Sequence, residues 1–229
     1  MSWTVIRYDF TDKVECRLGT KKHYVTSGKG FVIRNENGEE AFCGPVCASN
    51  PLFVTNPNDK VPDITMGCGV FTESGRAIEQ GTDRGSTNQK ADKKIDEKNA
   101  AIAYLTLRCN KLAHIRGVKY NALNAIYDEY LKENDLSESD VDFISYVMGN
   151  DDFQKYTYKN LLGVYACDYW INYFIENNDN IKYVEKVRAV LHKDLFLEKT
   201  QIVKLNNWFR YSDGKKIMKI KENLFSHIE

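Results

Sequence analysis

Apolar and polar positions follow one rhythm in the first third of the chain and another in the rest. From Trp3 to Phe10 they alternate loosely, as in a strand with one buried face. Gly30-Phe31-Val32-Ile33-Arg34 and Glu40-Ala41-Phe42 flank Asn35-Glu36-Asn37-Gly38. Asn-Gly tolerates positive φ at both positions, so a hairpin is predicted here. It would leave Cys43 at the end of the second strand and Cys47 in the following turn or at a helix start. Further on the period lengthens. Ile95, Ile102, Leu105, Cys109 and Leu112 recur at helical spacing, as do Tyr120, Leu123, Tyr127 and Tyr130. Ser137 to Asp140 reads as a capping box opening a helix through Val141, Ile144 and Met148. Residues 156–175 are apolar on nearly every face, which predicts the central helix of a bundle. More helices are expected over 181–193, 200–211 and 215–227, with Thr200 as an N-cap.

Punctuation residues draw the same boundary. All four prolines lie between positions 45 and 62, and after residue 86 only Gly117, Gly149, Gly163 and Gly214 interrupt the helical pattern. The expected fold is α+β: a β-rich cysteine module over residues 1–72, a polar, Gly-rich linker over 73–90, and an all-α domain over 91–229. At 229 residues the chain can bury a sizeable core.

Charge narrows the partners. There are 32 basic and 32 acidic residues, which argues against a uniformly basic coat for duplex binding. The balance hides segregation: residues 128–152 are acidic, while Lys199 to Lys221 is basic with interleaved aromatics. Lys204, Trp208, Arg210, Lys215, Lys216 and Lys219 are therefore the candidate nucleic-acid contacts, pairing phosphate neutralisation with base stacking. Solvated faces, or side-by-side packing of the acidic and basic segments, are the competing readings. No membrane span is expected, because no window approaches about 18 uninterrupted apolar residues. Met1-Ser2-Trp3-Thr4 leads directly into a polar strand, so no leader peptide is expected.

The six cysteines are scattered and there is no Asn-x-Ser/Thr sequon, so a reducing cytoplasm with free or metal-bound thiols is expected. Candidate metal ligands are Cys16, His23, Cys43, Cys47 and Cys68. A ligand turn, a hairpin and then a ligand at a helix start follow one another in the order of a treble-clef zinc site. Separate buried thiols and a disulfide are the alternatives. Cys109 and Cys167 fall on apolar helical faces and read as core.

Gly44-Pro45-Val46-Cys47-Ala48 and Cys16-Arg17-Leu18-Gly19 also carry a resemblance. Residues 16–50 resemble a small cysteine module of bacterial and phage proteins, which pairs a C-x-x-C-G turn with a later G-P-x-C-A turn. The second element matches closely; in the first, Gly19 stands where the second cysteine would be. The resemblance implies structural zinc, with Cys16 and Cys47 on matching positions and His23, Cys43 or Cys68 supplying the remaining ligands. Residues 196–205 add a weaker likeness to the terminal helical region of phage accessory proteins.

Recognisable catalysis is sparse. Walker, G-x-G-x-x-G, H-E-x-x-H and G-x-S-x-G motifs are all missing from the sequence. Pro62-Asp63 with Asp92-Lys93-Lys94 imitates a nuclease carboxylate–lysine set, but residues 92–94 open a helix rather than extend a strand. His114 and His192 read as helix-end groups, and Asp168 as a carboxylate bonded to a neighbouring tyrosine. The leading expectation is a non-enzymatic phage-type accessory protein that binds a host protein or nucleoprotein complex and inhibits a host defence or nucleic-acid-processing system. A nucleic-acid-binding protein and a metal-dependent enzyme at His23 and the cysteines are the alternatives.

Overall fold

The computed structural model describes residues 2–65, 89–149, 151–211 and 219–228. The fold is α+β, with strands confined to the N-terminal part and long helices to the rest. The chain divides into two compact units, Met1–Thr65 and Met66–Glu229. The expected linker at 73–90 lies outside the described residues, save for its last two, which open a helix.

In the first unit β1 (Trp3–Phe10), β4 (Lys29–Asn35) and β5 (Glu40–Cys43) form an antiparallel sheet in the order β1-β4-β5. β2 (Val14–Glu15) and β3 (Tyr24–Val25) make a separate two-stranded ladder, and α1 (Pro45–Ala48) follows β5. The predicted hairpin is present. Gly38 takes φ +81°, and the Asn35 Oδ1 accepts from the backbone N–H groups of Asn37 and Glu39 at 2.9 and 3.0 Å. The asparagine thus satisfies the turn's amides and fixes the register that places Cys43 opposite Phe31. Trp3, Val5, Ile33 and Val54 pack with Cys16, Cys43 and Cys47 in one core. Across the strands, Arg7 bridges the fully buried Asp9 at 3.2 Å and Glu40 at 2.6 Å, and Arg34 also reaches Glu40 at 2.8 Å. Burial alone would raise the Glu40 carboxyl, but the hydrogen bonds and charges of Arg7 and Arg34 outweigh it and hold the group down at about 2.

The second unit contains α2 (Gln89–Thr106), a π-helical segment (Leu107–Lys111), α3 (Asn121–Glu133), α4 (Glu138–Met148), α5 (Tyr158–Glu176), α6 (Lys182–Asp194) and α7 (Lys199–Phe209). As its pattern predicts, α5 is buried on almost every face. Ser137 caps α4, its hydroxyl accepting from the Asp140 N–H at 3.2 Å. The π-helical segment is braced by the buried Arg108. Its Nε donates to the Val118 carbonyl at 2.7 Å and its Nη1 to the Tyr104 hydroxyl at 3.0 Å, with Tyr104, Tyr120 and Tyr156 rings around the guanidinium.

Several expectations are corrected. Glu198, not Thr200, caps α7, through a reciprocal capping box with Gln201. The described end of the expected helix over 215–227 is a series of turns, because the Asn206 amide takes both backbone groups of Ile220 at 2.8 Å. Among the described residues, the acidic segment meets lysines of α2: Asp135 pairs with Lys98, and Glu138 with Lys94 at 3.1 Å. Asp168 meets histidines and not a tyrosine: His114 and His192 both turn onto it. Among the described residues no helix is long and apolar enough to cross a membrane.

Candidate metal centre

The loop between β2 and β3 is closed at its base, where the Cys16 N–H donates to the His23 carbonyl at 2.9 Å. The Arg17 N–H donates to the Phe42 carbonyl at 2.9 Å, tying the loop to β5. Gly19 turns the chain at φ +105°, a conformation that side chains disfavour. On the other side Pro45 starts α1 with its fixed φ, and the Cys47 N–H returns to the Gly44 carbonyl at 3.1 Å. Cys47 thereby points from the first turn of α1 towards the 16–23 loop.

Three ligand atoms converge there. Cys16 Sγ, Cys47 Sγ and a ring nitrogen of His23 lie within 4.8 Å of one another. Cys47 Sγ is 3.4 Å from His23 Nε2, and both thiols point at the Leu18 carbonyl, Cys16 Sγ at 3.3 Å and Cys47 Sγ at 3.8 Å. His23 Nδ1 lies 2.9 Å from the Lys21 carbonyl, which can only accept, so Nδ1 carries a proton, and Nε2 faces the Cys47 thiol. An imidazole held in this way by a backbone carbonyl is oriented as a metal ligand is. Both cysteines are buried and the histidine is exposed.

Cys43 is fully buried in the same core. Burial first, then the neighbouring Cys16 and Cys47, push its thiol up to about 12. Burial first, then the neighbouring Cys16, push Cys47 up to about 11. Without a cation these sulfurs keep their protons; a divalent ion would displace them and supply the missing countercharge. Cys43 stands outside the group of three, and Cys68 lies outside the described residues. Cys167 is buried in α5, and Cys109 is half-buried, its thiol raised to about 11 by burial.

In the described part of the basic segment Tyr211 is exposed, while Trp208 and Phe209 are packed on other rings. Trp208 stacks on Tyr183, with ring centroids 5.9 Å apart and planes inclined by 17°. Phe209 is core, packed on Phe174. Lys204 shares a shallow groove with Tyr183 and Lys186, Arg210 is exposed after α7, and Lys219 pairs with Glu222 at 3.5 Å. Lys215 and Lys216 lie outside the described residues.

Comparison with protein families, curated proteins and solved structures yields no match.

Proposed function

We propose that the first unit is a structural zinc module and that the protein works by binding another protein, not by catalysis. The observation that carries this reading is the convergence of Cys16 Sγ, Cys47 Sγ and His23 Nε2, with Nδ1 anchored on Lys21. Soft thiolates with one imidazole select zinc over the hard cations, and a Cys3His set is a closed structural arrangement. Cys43 is proposed as the fourth ligand: it stands outside the group of three in the ion-free protein, but lies in the same core four residues before Cys47, and would close in when the ion binds. The ion then joins the 16–23 loop, the end of β5 and α1 within the first unit.

Chain neighbours of these ligands suggest what the module presents. Val46, between Pro45 and Cys47, is 81% exposed, Leu52 is 86% exposed, and Tyr24, next to His23, is also exposed. Apolar groups in solvent beside a metal-fixed loop and helix suit a protein partner. From the resemblance of residues 16–50, that partner is proposed to be a host protein or nucleoprotein complex of a phage-type accessory protein, met in the reducing cytoplasm. Protein made with zinc available is expected to hold stoichiometric metal at this site, lost in Cys47→Ser. Val46→Glu with Leu52→Glu is expected to keep the metal and lose the partner. Metal-free wild type of unchanged stability would overturn the zinc reading, and an unaffected partner would overturn the docking one.

A further inference from the structure

We infer that His114, Asp168 and His192 form a second site, for a divalent transition metal, within the helical unit. It is separate from the cysteine module and does not depend on it. The three ligands come from different elements: Asp168 from the middle of α5, His192 from the last turn of α6, and His114 from the turn after the π-helical segment. Their ligand atoms lie within 4.8 Å of one another. His114 Nε2 is 3.1 Å from Asp168 Oδ2, and His192 Nε2 is 2.5 Å from Oδ1. The imidazoles sit edge to face, with centroids 5.4 Å apart and planes inclined by 67°, so both present the same ring nitrogen to one carboxylate.

A carboxylate buried in an otherwise apolar helix needs cationic partners, and one histidine would meet that need. The second histidine, from another element and on the other oxygen, completes a ligand set instead. Two imidazoles and one carboxylate bind zinc, cobalt, nickel or iron(II), and leave coordination positions open. The surroundings support the set. Asn172 Nδ2 donates to Asp168 Oδ2 at 3.1 Å, and Arg188 Nη1 donates to Asn172 Oδ1 at 3.0 Å, so the carboxylate is oriented from behind. Arg108, through Val118, closes the loop that carries His114. π-Helical turns of this kind recur beside functional sites. Exposure is graded outward: the side chains of Asp168, His192 and His114 are 5%, 30% and 49% accessible. The site therefore has a buried anionic floor and a solvent-facing side where water would complete the coordination.

In the ion-free protein each Nε2–H donates to a carboxylate oxygen. To hold a cation, each imidazole presents Nε2 without its proton, either by carrying the proton on Nδ1 instead or by releasing one to solvent from the charged ring, and the two Nε2 lone pairs and the carboxylate then share the ion.

Cobalt(II) titration of the metal-stripped, full-length protein tests the inference. Cobalt on the cysteine site carries sulfur-to-metal charge-transfer absorption; cobalt on His114, Asp168 and His192 carries only ligand-field bands. The expected result is an equivalent of cobalt without the sulfur band, displaced by zinc, and retained in Cys47→Ser. His114→Ala, at an exposed position, is expected to weaken that equivalent by at least about tenfold, as losing a support or ligand does. His192→Ala and Asp168→Asn are expected to remove it. An equivalent that is indifferent to His114→Ala in a normally folded protein, or cobalt bound only with the sulfur band, would overturn the inference and leave a proton-bridged ion cluster. Loss of the sulfur band alone, with the second equivalent kept, would refute the zinc module and not this site.

Discussion

Gly19→Ala probes the cysteine module at the position where the resembling family has a second cysteine. A β-carbon there would stand 3.0 Å from His23 Cε1 and 3.8 Å from Cys47 Sγ. The backbone is at φ +105°, beyond the left-handed region that other residues visit, so alanine costs roughly 1–3 kcal/mol in strain alone. Carbon atoms pack at about 3.5–4.0 Å, so the imidazole must retreat by about 0.5 Å or more. Metal–ligand distances tolerate only about 0.2 Å, and disturbing a ligand's support typically weakens a site by about 10–100-fold. That corresponds to about 1.4–2.8 kcal/mol of binding free energy. Competition with a chromophoric chelator measures the affinity, and thermal unfolding of the metal-free protein measures the strain. Gly19→Cys carries the same strain but delivers a thiol beside Cys47; it is expected to recover the affinity and to strengthen the sulfur-to-cobalt band. Alanine and wild type with equal zinc affinity and equal stability would refute the placement of His23 and Gly19 on one site.

Three further substitutions and one pH window follow from the packing. Glu40 is held at about 2 by Arg7 and Arg34, below its ordinary 4.5, so its contribution is complete above about pH 4.5 and lost as pH falls through 2. Its side chain is 34% exposed, so solvent screening leaves about 1 kcal/mol; Glu40→Gln should flatten the acid limb of the stability curve, and an unchanged limb would refute the assignment. Arg7→Ala takes the guanidinium from the buried Asp9 and from Glu40 and should cost about 3 kcal/mol in chemical denaturation; a loss below about 1 would contradict the network. Arg108→Lys surrenders the planar fork that spans Val118 and Tyr104 and should destabilise the helical unit by about 2 kcal/mol, read by urea unfolding. Asn206→Ala leaves the Ile220 N–H and carbonyl unpaired, costing about 2–3 kcal/mol, and should speed proteolysis near residues 219–228; cleavage at the wild-type rate would refute the clamp.

Much of the architecture was legible because it is written in short-range pattern. The run at residues 156–175, apolar on nearly every face, pointed to a central helix, and Asn37-Gly38 to a hairpin turn. Cys16, His23 and Cys47 were legible as candidates because the order of turn, hairpin and helix start places them together. Cys43 shared that logic, yet its side chain lies in the core beside the group. Two kinds of feature were not readable. The α7 cap went to Glu198 because its reciprocal bond with Gln201 outweighs what Thr200 offers. The His114–Asp168–His192 cluster has no local spacing; helix packing alone unites ligands that sequence keeps far apart. The signal available was Asp168, a carboxylate in the middle of the most apolar helix, since such a group must find partners somewhere in the fold.

The central claim is a zinc ion on three sulfurs and one nitrogen, and X-ray absorption at the zinc edge reads that count directly. The measurement belongs in the His114→Ala, His192→Ala protein, so that only the cysteine module contributes. The account predicts one zinc per chain with three Zn–S distances near about 2.3 Å and one Zn–N near about 2.0 Å. A first shell of nitrogen and oxygen alone, or no bound zinc in protein prepared with zinc present, would contradict it.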